Sequence, residues 1–232
     1  MKDRNLELSI RNENTRDKFH TEVVRFKLDQ IMKHYKETMQ AVDAQFRVAD
    51  ELLRAGQNEE GENIWRAQII FLASAVDFYM HELTKYGLCE IYNENWMDTE
   101  KYNHLPMHME VVERALKSGE ELDWFLEYIN GYYETVTMVS FESVKAQLNL
   151  LGIDLAKVAN QAFYEKNGVE KTRDRMKRCL NELFYRRNII AHQTDRAHTD
   201  ARRYPITKEI VQRFIRDVGK IVEAIHIEVE KK

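Results

Sequence analysis

The sequence predicts an all-α protein. Only two prolines and eight glycines occur in 232 residues, so few positions interrupt regular structure. Strong helix formers such as Glu, Lys, Leu, Met, Gln and Ala are abundant, whereas no long alternation of Val, Ile and Thr indicates a sheet. A chain of this length supports one substantial core, and we therefore expect one compact domain.

The first elements follow from apolar spacing. Residues 1–14 are polar and offer little surface for a core, so we expect a flexible N-terminus there. Over residues 15–56, apolar side chains recur every three to four positions and predict one long helix or two joined helices. Residues 63–86 carry a broad apolar face and predict the central core helix, with Gly87 as its stop.

The second half predicts shorter helices. Residues 88–120 are acidic and less regular, with a short helix expected over 108–117. Asn130-Gly131 predicts a turn. The segment 205–232 has an apolar face strong enough to close the core or to pair with another subunit. The helices after residue 120 are expected to begin near Trp124, Ser140, Asp154, Glu170 and Ile206.

Several protein classes are disfavoured by composition. The polar start lacks the apolar run of a secretion signal, and no stretch approaches twenty apolar residues, so we expect no membrane association. Cys89 and Cys179 have no metal-ligand spacing, and no two histidines four positions apart have an acidic residue between them, as a helical zinc site would. We expect a reduced, cytoplasmic protein without metal or other cofactor.

The net charge of −4 is unevenly distributed along the chain. Residues 171–203 contain ten Lys or Arg and four Asp or Glu, whereas residues 84–134 contain eleven acidic and four basic side chains. A basic segment in an acidic protein suggests a polyanionic partner. The alternative is an ordinary solvated helix face.

The basic segment contains the one motif with evident chemistry, Arg187-Asn188-Ile189-Ile190-Ala191-His192. No arginine precedes any other histidine of the chain by four to six intervening residues. A histidine that titrates near neutrality can take the proton from a ribose 2′-hydroxyl, while a guanidinium holds the phosphate. Such a pair can cleave RNA without a metal. The alternative is structural: half of an ion pair, and a histidine that caps a helix end.

Helix geometry restricts how this motif can work. Five positions rotate an ideal helix by about 500°, so Arg187 and His192 should point about 140° apart. Either the helix opens or bends inside the motif, or His192 works with the arginine of another subunit. Arg187 should also lie near the apolar stripe and need an acidic partner, for which Asp77 and Glu182 are the candidates.

The motif resembles the signature of the HEPN superfamily, an arginine, often followed by a polar residue, with a histidine downstream. The similarity extends over residues 60–200 and includes residues 73–79 and 139–153; it is greatest to a bacterial, defence-associated RiboL-PSP-HEPN-like subgroup. The resemblance implies an antiparallel helical bundle with additional N-terminal helices, as a single domain over 15–232. It also implies a homodimer whose two motifs face each other and cleave RNA.

Residue roles are assigned on this basis. The expected activity is that of a metal-independent endoribonuclease, in prokaryotic defence or as a toxin, with RNA and an antitoxin or other regulatory protein as partners. A non-catalytic RNA-binding or dimeric adaptor module remains an alternative. So does a scaffold that binds a protein through residues 84–134. The assigned residues are Arg187, His192 and Asn188 for catalysis, Asp77 and Glu182 in support, and Arg186, Arg196, Arg202 and Arg203 as RNA contacts.

Overall fold

The computed structural model describes residues 23–118, 122–166 and 168–232, in which nine helices and no strand occur. The predicted all-α class is thereby confirmed. The expected flexible segment 1–14 and the predicted helix start near residue 15 lie outside the described residues. The helices are α1 Leu28–Arg54, α2 Asn58–Tyr92, α3 Glu100–Asn103, α4 Met109–Ser118, α5 Asp123–Tyr133, α6 Phe141–Leu150, α7 Leu155–Phe163, α8 Thr172–Gln193 and α9 Lys208–Glu230.

The 35-residue helix α2 is the centre of the bundle. It packs against α1, α5, α6, α8 and α9, and it therefore buries more than one face. Buried side chains follow it from Trp65 to Ile91, and Gln68 donates a hydrogen bond of 2.7 Å to the carbonyl of Val42 on α1. The prediction of a central core helix is confirmed, although the helix is longer at both ends than expected.

Two glycines that were expected to interrupt helices lie inside them. At Gly87, a Cβ atom would come within 2.7 Å of the side chains of Leu151 and Trp96, so glycine is needed there for close packing. Gly131 lies within α5, whose buried Ile129 and Tyr133 flank it and hold the helix against the core. Both predictions were wrong because tertiary packing determines helix length more than local propensity does.

Side-chain caps fix the starts of four of the described helices, including α3, which Thr99 caps. The Ser140 hydroxyl accepts a hydrogen bond from the backbone N–H of Ser143 at the start of α6. The Asp154 carboxylate does the same at α7, and the Thr207 hydroxyl at α9. These polar side chains satisfy N–H groups that the first helical turn leaves without partners. The predicted starts near Ser140 and Asp154 are confirmed.

Helix α8 connects the core to the candidate site. Its buried Met176, Leu180 and Leu183 pack against the bundle, and its C-terminal turns carry the Arg/His motif. It ends at Gln193, after which Thr194 and Asp195 adopt left-handed φ angles of 49° and 61° and turn the chain back toward α2. Across the described ranges, no helix has a segment that is both long and apolar enough to span a membrane.

Candidate active site

The motif lies on a regular helix. Helix α8 continues without a break through Gln193, which excludes the alternative in which the helix opens inside the motif. On this helix Arg187 and His192 therefore project in directions about 140° apart. Within one chain, the two side chains do not face each other directly.

The Asn188 side chain projects between the directions of Arg187 and His192. It lies one turn before His192, only about 40° away on the same face of the helix. The Arg187 guanidinium donates a hydrogen bond of 2.9 Å from Nη1 to Oδ1 of Asn188. Arg187 and Asn188 are half-buried, whereas His192 is exposed. The hydrogen bond draws the guanidinium toward the helix face that carries the histidine.

The expected acidic partners of Arg187 are engaged elsewhere. Asp77 accepts a hydrogen bond from the backbone N–H of Met138 at 2.5 Å, and Glu182 pairs with Arg213 at 3.2 Å. Glu182 precedes Arg187 by five positions and therefore projects about 140° away from it. The predicted ion pairs were wrong because Arg187 lies at the edge of the buried face, where water can solvate its charge.

Arg186 pairs with a buried carboxylate and is therefore not available to a ligand. The carboxylate of Asp195 is fully buried, and its Oδ2 accepts hydrogen bonds from Arg186 at 2.8 Å and from Arg66 on α2 at 2.7 Å. We call these three residues the Asp195 anchor. Arg186 also donates to the carbonyl of Pro205 at 3.1 Å, and its guanidinium lies 5.6 Å from the ring centre of Tyr204.

The Asp195 anchor changes the expected role of Arg186. Burial lowers the pKa of Arg186, the neighbouring Asp195 raises it, and Arg66 lowers it further. An arginine remains charged under such conditions, and its charge here compensates that of a buried carboxylate. The side chain predicted to contact RNA phosphate therefore faces the protein interior and ties α8 to the chain that follows it.

The residues after the anchor form a short loop, 196–203, which we call the connector loop. Its ends pair as an isolated antiparallel bridge between Arg196 and Arg203, and the N–H of Tyr204 donates to the carbonyl of Asp195 at 2.9 Å. The side chain of Arg203 pairs with Glu59 at 2.9 Å at the start of α2. The side chain of Arg202, by contrast, is 87% exposed.

The predicted RNA contacts thus divide into two groups. Arg196 and Arg202 lie on the surface close in sequence to the motif; Arg196 uses one nitrogen to donate to the carbonyl of Ala201 at 2.7 Å. Arg186 and Arg203 are held in ion pairs with Asp195 and Glu59. The structure leaves the first pair accessible to a ligand and gives the second pair partners within the protein.

Sequence reasoning missed Asp195 and Arg66. Asp195 follows the motif in a polar stretch, where nothing in the local pattern distinguishes a buried carboxylate from a solvated one. Arg66 gave a weak signal, because it directly follows the core residue Trp65 and lies three positions before Ile69 on the central helix. A charge at such a position requires a buried partner.

The two cysteines take no part in this site. Cys89 and Cys179 are buried free thiols, and burial raises the pKa of Cys89 to about 11. Among the residues that the structure describes, no group of three or more His, Cys, Asp or Glu side chains is placed to hold a metal ion.

The chain is a helical bundle with an arginine and a histidine near the end of a core-packed helix, as the resemblance to HEPN domains implied. The model of the RiboL-PSP-HEPN family matches residues 29–231, and the chain belongs to this family. The match includes α1 and α9, so the family domain extends beyond the 60–200 region of the first resemblance. HEPN domains are generally ribonucleases, which gives this chain an RNA-related function. Searches among curated proteins and among solved structures returned no match.

Proposed function

We propose that this protein is a metal-independent endoribonuclease whose reactive groups are His192, Arg187 and Asn188. The observation that carries the proposal is their position together at the end of α8 in a HEPN domain. His192 is exposed, and the Arg187 guanidinium is directed by Asn188 rather than held by a buried carboxylate. Functional groups that the fold does not need are available for a substrate.

The proposed chemistry uses the nucleophile that RNA itself provides. A histidine takes the proton from the ribose 2′-hydroxyl, and the 2′-oxygen attacks the adjacent phosphorus. The bond from phosphorus to the 5′-oxygen breaks, and a second acid protonates that leaving oxygen. Arg187 stabilises the charge on the crowded phosphate, while Asn188 positions the guanidinium. The products carry a 2′,3′-cyclic phosphate and a 5′-hydroxyl group.

A homodimer would supply the second acid. Because α8 is regular, the His192 ring and the Arg187 side chain of one chain diverge, and a two-fold axis near the end of α8 would place each beside its counterpart. One histidine could then act as base and the other as acid. We therefore propose that the Arg187/His192 face is the dimer interface and that RNA is bound between the subunits.

An RNA-cleaving protein requires control in the cell that makes it. We propose a role in prokaryotic defence or as a toxin, with an antitoxin or other regulatory protein that covers the motif face until cleavage is needed. Co-purification from the native host tests this role: a partner that protects His192 from chemical modification is expected. A protein whose activity is constant in the host and that has no such partner would contradict it.

The proposed activity is tested by incubating the purified protein with a pool of single-stranded RNA and tRNA in EDTA. His192→Ala and Arg187→Ala proteins provide the site variants, and His198→Ala provides a matched control at an exposed histidine of the connector loop. Cyclic-phosphate ends from the wild type and the control alone would support the nuclease. Intact RNA that is bound in a salt-dependent manner by all four proteins would instead favour a non-catalytic RNA-binding module.

A further inference from the structure

An exposed tyrosine shares the helix face that carries the histidine. The side chain of Tyr185 is 66% exposed on α8, two turns before His192. Seven positions return an ideal helix to within about 20° of the same direction, so the two side chains project side by side about 10 Å apart along the axis. Asn188 lies between them. The tyrosine ring therefore borders the proposed reaction site without being part of the core.

The same face continues toward the start of α8 with polar and basic groups. Asn181 and Lys177 precede Tyr185 by one and two turns, which places Lys177 about 80° from Tyr185 and about 60° from His192 around the helix axis. Lys177 is exposed, and its ammonium lies 6.0 Å from the ring centre of Phe141. One turn further on, Asp174 places a carboxylate on the face. We call the face from Lys177 to His192 the α8 track.

The composition of the α8 track fits one class of ligand. Single-stranded RNA presents phosphates, which attract a lysine, and unpaired bases, which stack on exposed aromatic rings. The distance from Tyr185 to His192 corresponds to about three nucleotides at the ~3.4 Å repeat of a stacked strand. A base stacked on Tyr185 would thus lie about three nucleotides from the phosphate at His192.

Other aromatic residues fit this role less well. Tyr133 is buried, and Tyr132 packs against the rings of Tyr128 and Tyr133, with centroid distances of 5.8 and 4.9 Å. These tyrosines of α5 belong to an aromatic cluster of the bundle. Tyr164 is 73% exposed, but it follows the end of α7 and is not on the helix that carries the motif. Tyr185 is distinguished by combining exposure with the direction of His192.

We propose that Tyr185 is a base-stacking residue that positions single-stranded RNA on the α8 track, with Lys177 contacting the backbone phosphate. This inference rests on the proposed function, since it names a binding subsite on the strand that carries the cleaved phosphate. Stacking selects unpaired RNA because a base inside a duplex cannot reach the ring. It tolerates different bases, since each of them offers a π face.

Binding without cleavage tests the proposal. The His192→Ala protein is titrated against a fluorescent oligoadenylate and against an abasic strand of equal length that retains the ribose and phosphate groups. Adding Tyr185→Ala should weaken oligoadenylate binding about ten-fold and leave abasic binding unchanged. Adding Tyr185→Trp should preserve both affinities, as should Tyr164→Ala, the matched control. Adding Lys177→Gln should weaken both strands alike and reduce the salt dependence by about one counterion.

The outcomes separate this inference from the proposed function. Equal losses on both strands, or no loss on either, would overturn stacking by Tyr185. Dissociation of the Tyr185→Ala dimer in sedimentation would also overturn it, because the ring would then be an interface contact. Cleavage by the wild type is measured independently in EDTA. If the wild-type protein binds RNA through the RNA bases but does not cleave it, the α8 track remains supported as a binding site, whereas the proposed nuclease activity is contradicted.

Discussion

Arg186 and Arg187 are chemically identical neighbours with opposite environments. Arg186 lies in the Asp195 anchor, where it pairs with a fully buried carboxylate; within the described part of the chain, Arg187 is held only by the amide of Asn188 at the edge of the exposed face. Adjacent positions on a helix differ by about 100° in direction, so one residue faces α2 and the connector loop while the other faces outward. Contacts with distant parts of the chain, and not the residue type, distinguish a structural arginine from a candidate catalytic one.

The two regions also differ in how they affect stability. The Asp195 anchor joins α2, α8 and the connector loop through charges that are removed from water, so the loss of one partner leaves an uncompensated buried charge. The motif lies just beyond it, at the solvated end of the same helix. We therefore expect substitutions in the anchor to change the free energy of unfolding, and substitutions in the motif to change cleavage.

The largest effect is expected for His192→Ala. Cleavage should fall by a factor of about 10² to 10⁴, the usual contribution of a general acid or base. The melting temperature should not change, because the ring is exposed and the fold does not depend on it. Rates of cyclic-phosphate formation and thermal melting curves measure the two quantities. A large decrease in the melting temperature would mean that His192 stabilises the fold.

The largest change in stability is expected for Asp195→Ala. It leaves Arg66 and Arg186 without their shared carboxylate and should lower the free energy of unfolding by about 3–5 kcal/mol. Urea denaturation measures this loss. Asp200→Ala, at an exposed aspartate of the same connector loop, is the control and should change stability by less than about 0.5 kcal/mol. Equal losses of stability in the two variants would mean that Asp195 stabilises the fold no more than an exposed aspartate of the connector loop does.

Mixing wild-type and inactive chains tests whether the motif acts across the dimer. In a heterodimer of wild-type and His192→Ala chains, only one of the two histidines remains, so the pair of base and acid is incomplete. After equal amounts of the two chains exchange subunits, cleavage should fall to about a quarter of that of the same total amount of wild type, since only a quarter of the dimers carry both histidines. Cleavage at about half of the wild-type level after confirmed exchange would mean that each site lies within a single chain.

The smallest effect is expected for Arg202→Gln in the connector loop. Its side chain is 87% exposed and lies 3.4 Å from Asp200, so stability should not change. If it contacts phosphate, RNA binding should weaken to a similar degree for all sequences, and the salt slope should fall by about one. Arg203→Gln should lack this effect, because Arg203 pairs with Glu59. A larger salt effect for Arg203 would reverse the two assignments.

The helical class, the central helix and the caps of α6 and α7 could be predicted because they depend on local patterns. Apolar spacing identified the core face of α2, and Ser140 and Asp154 marked helix starts. Gly87 was misread because the same residue serves as a helix stop and as a close contact, and only the positions of Leu151 and Trp96 distinguish these roles.

The candidate site could be located from sequence, but its electrostatics could not. The spacing of Arg187 and His192 identified the motif and their divergence on a regular helix. The partner of Arg186 was not predictable, since Asp195 reaches it only after two left-handed residues reverse the chain, and Arg66 comes from a helix more than a hundred positions earlier. Local patterns carry no information about such long-range contacts.

The most direct test compares Arg186→Gln with Arg187→Gln, measuring urea denaturation and RNA cleavage for both proteins. We expect Arg186→Gln to lose about 2 kcal/mol of stability, because a hydrogen-bonded buried charge loses one partner. We expect Arg187→Gln to remain as stable as the wild type while its cleavage falls about 10² to 10³-fold. A stable Arg186→Gln protein that fails to cleave RNA, beside an Arg187→Gln protein that unfolds readily, would contradict the assignment of the two arginines.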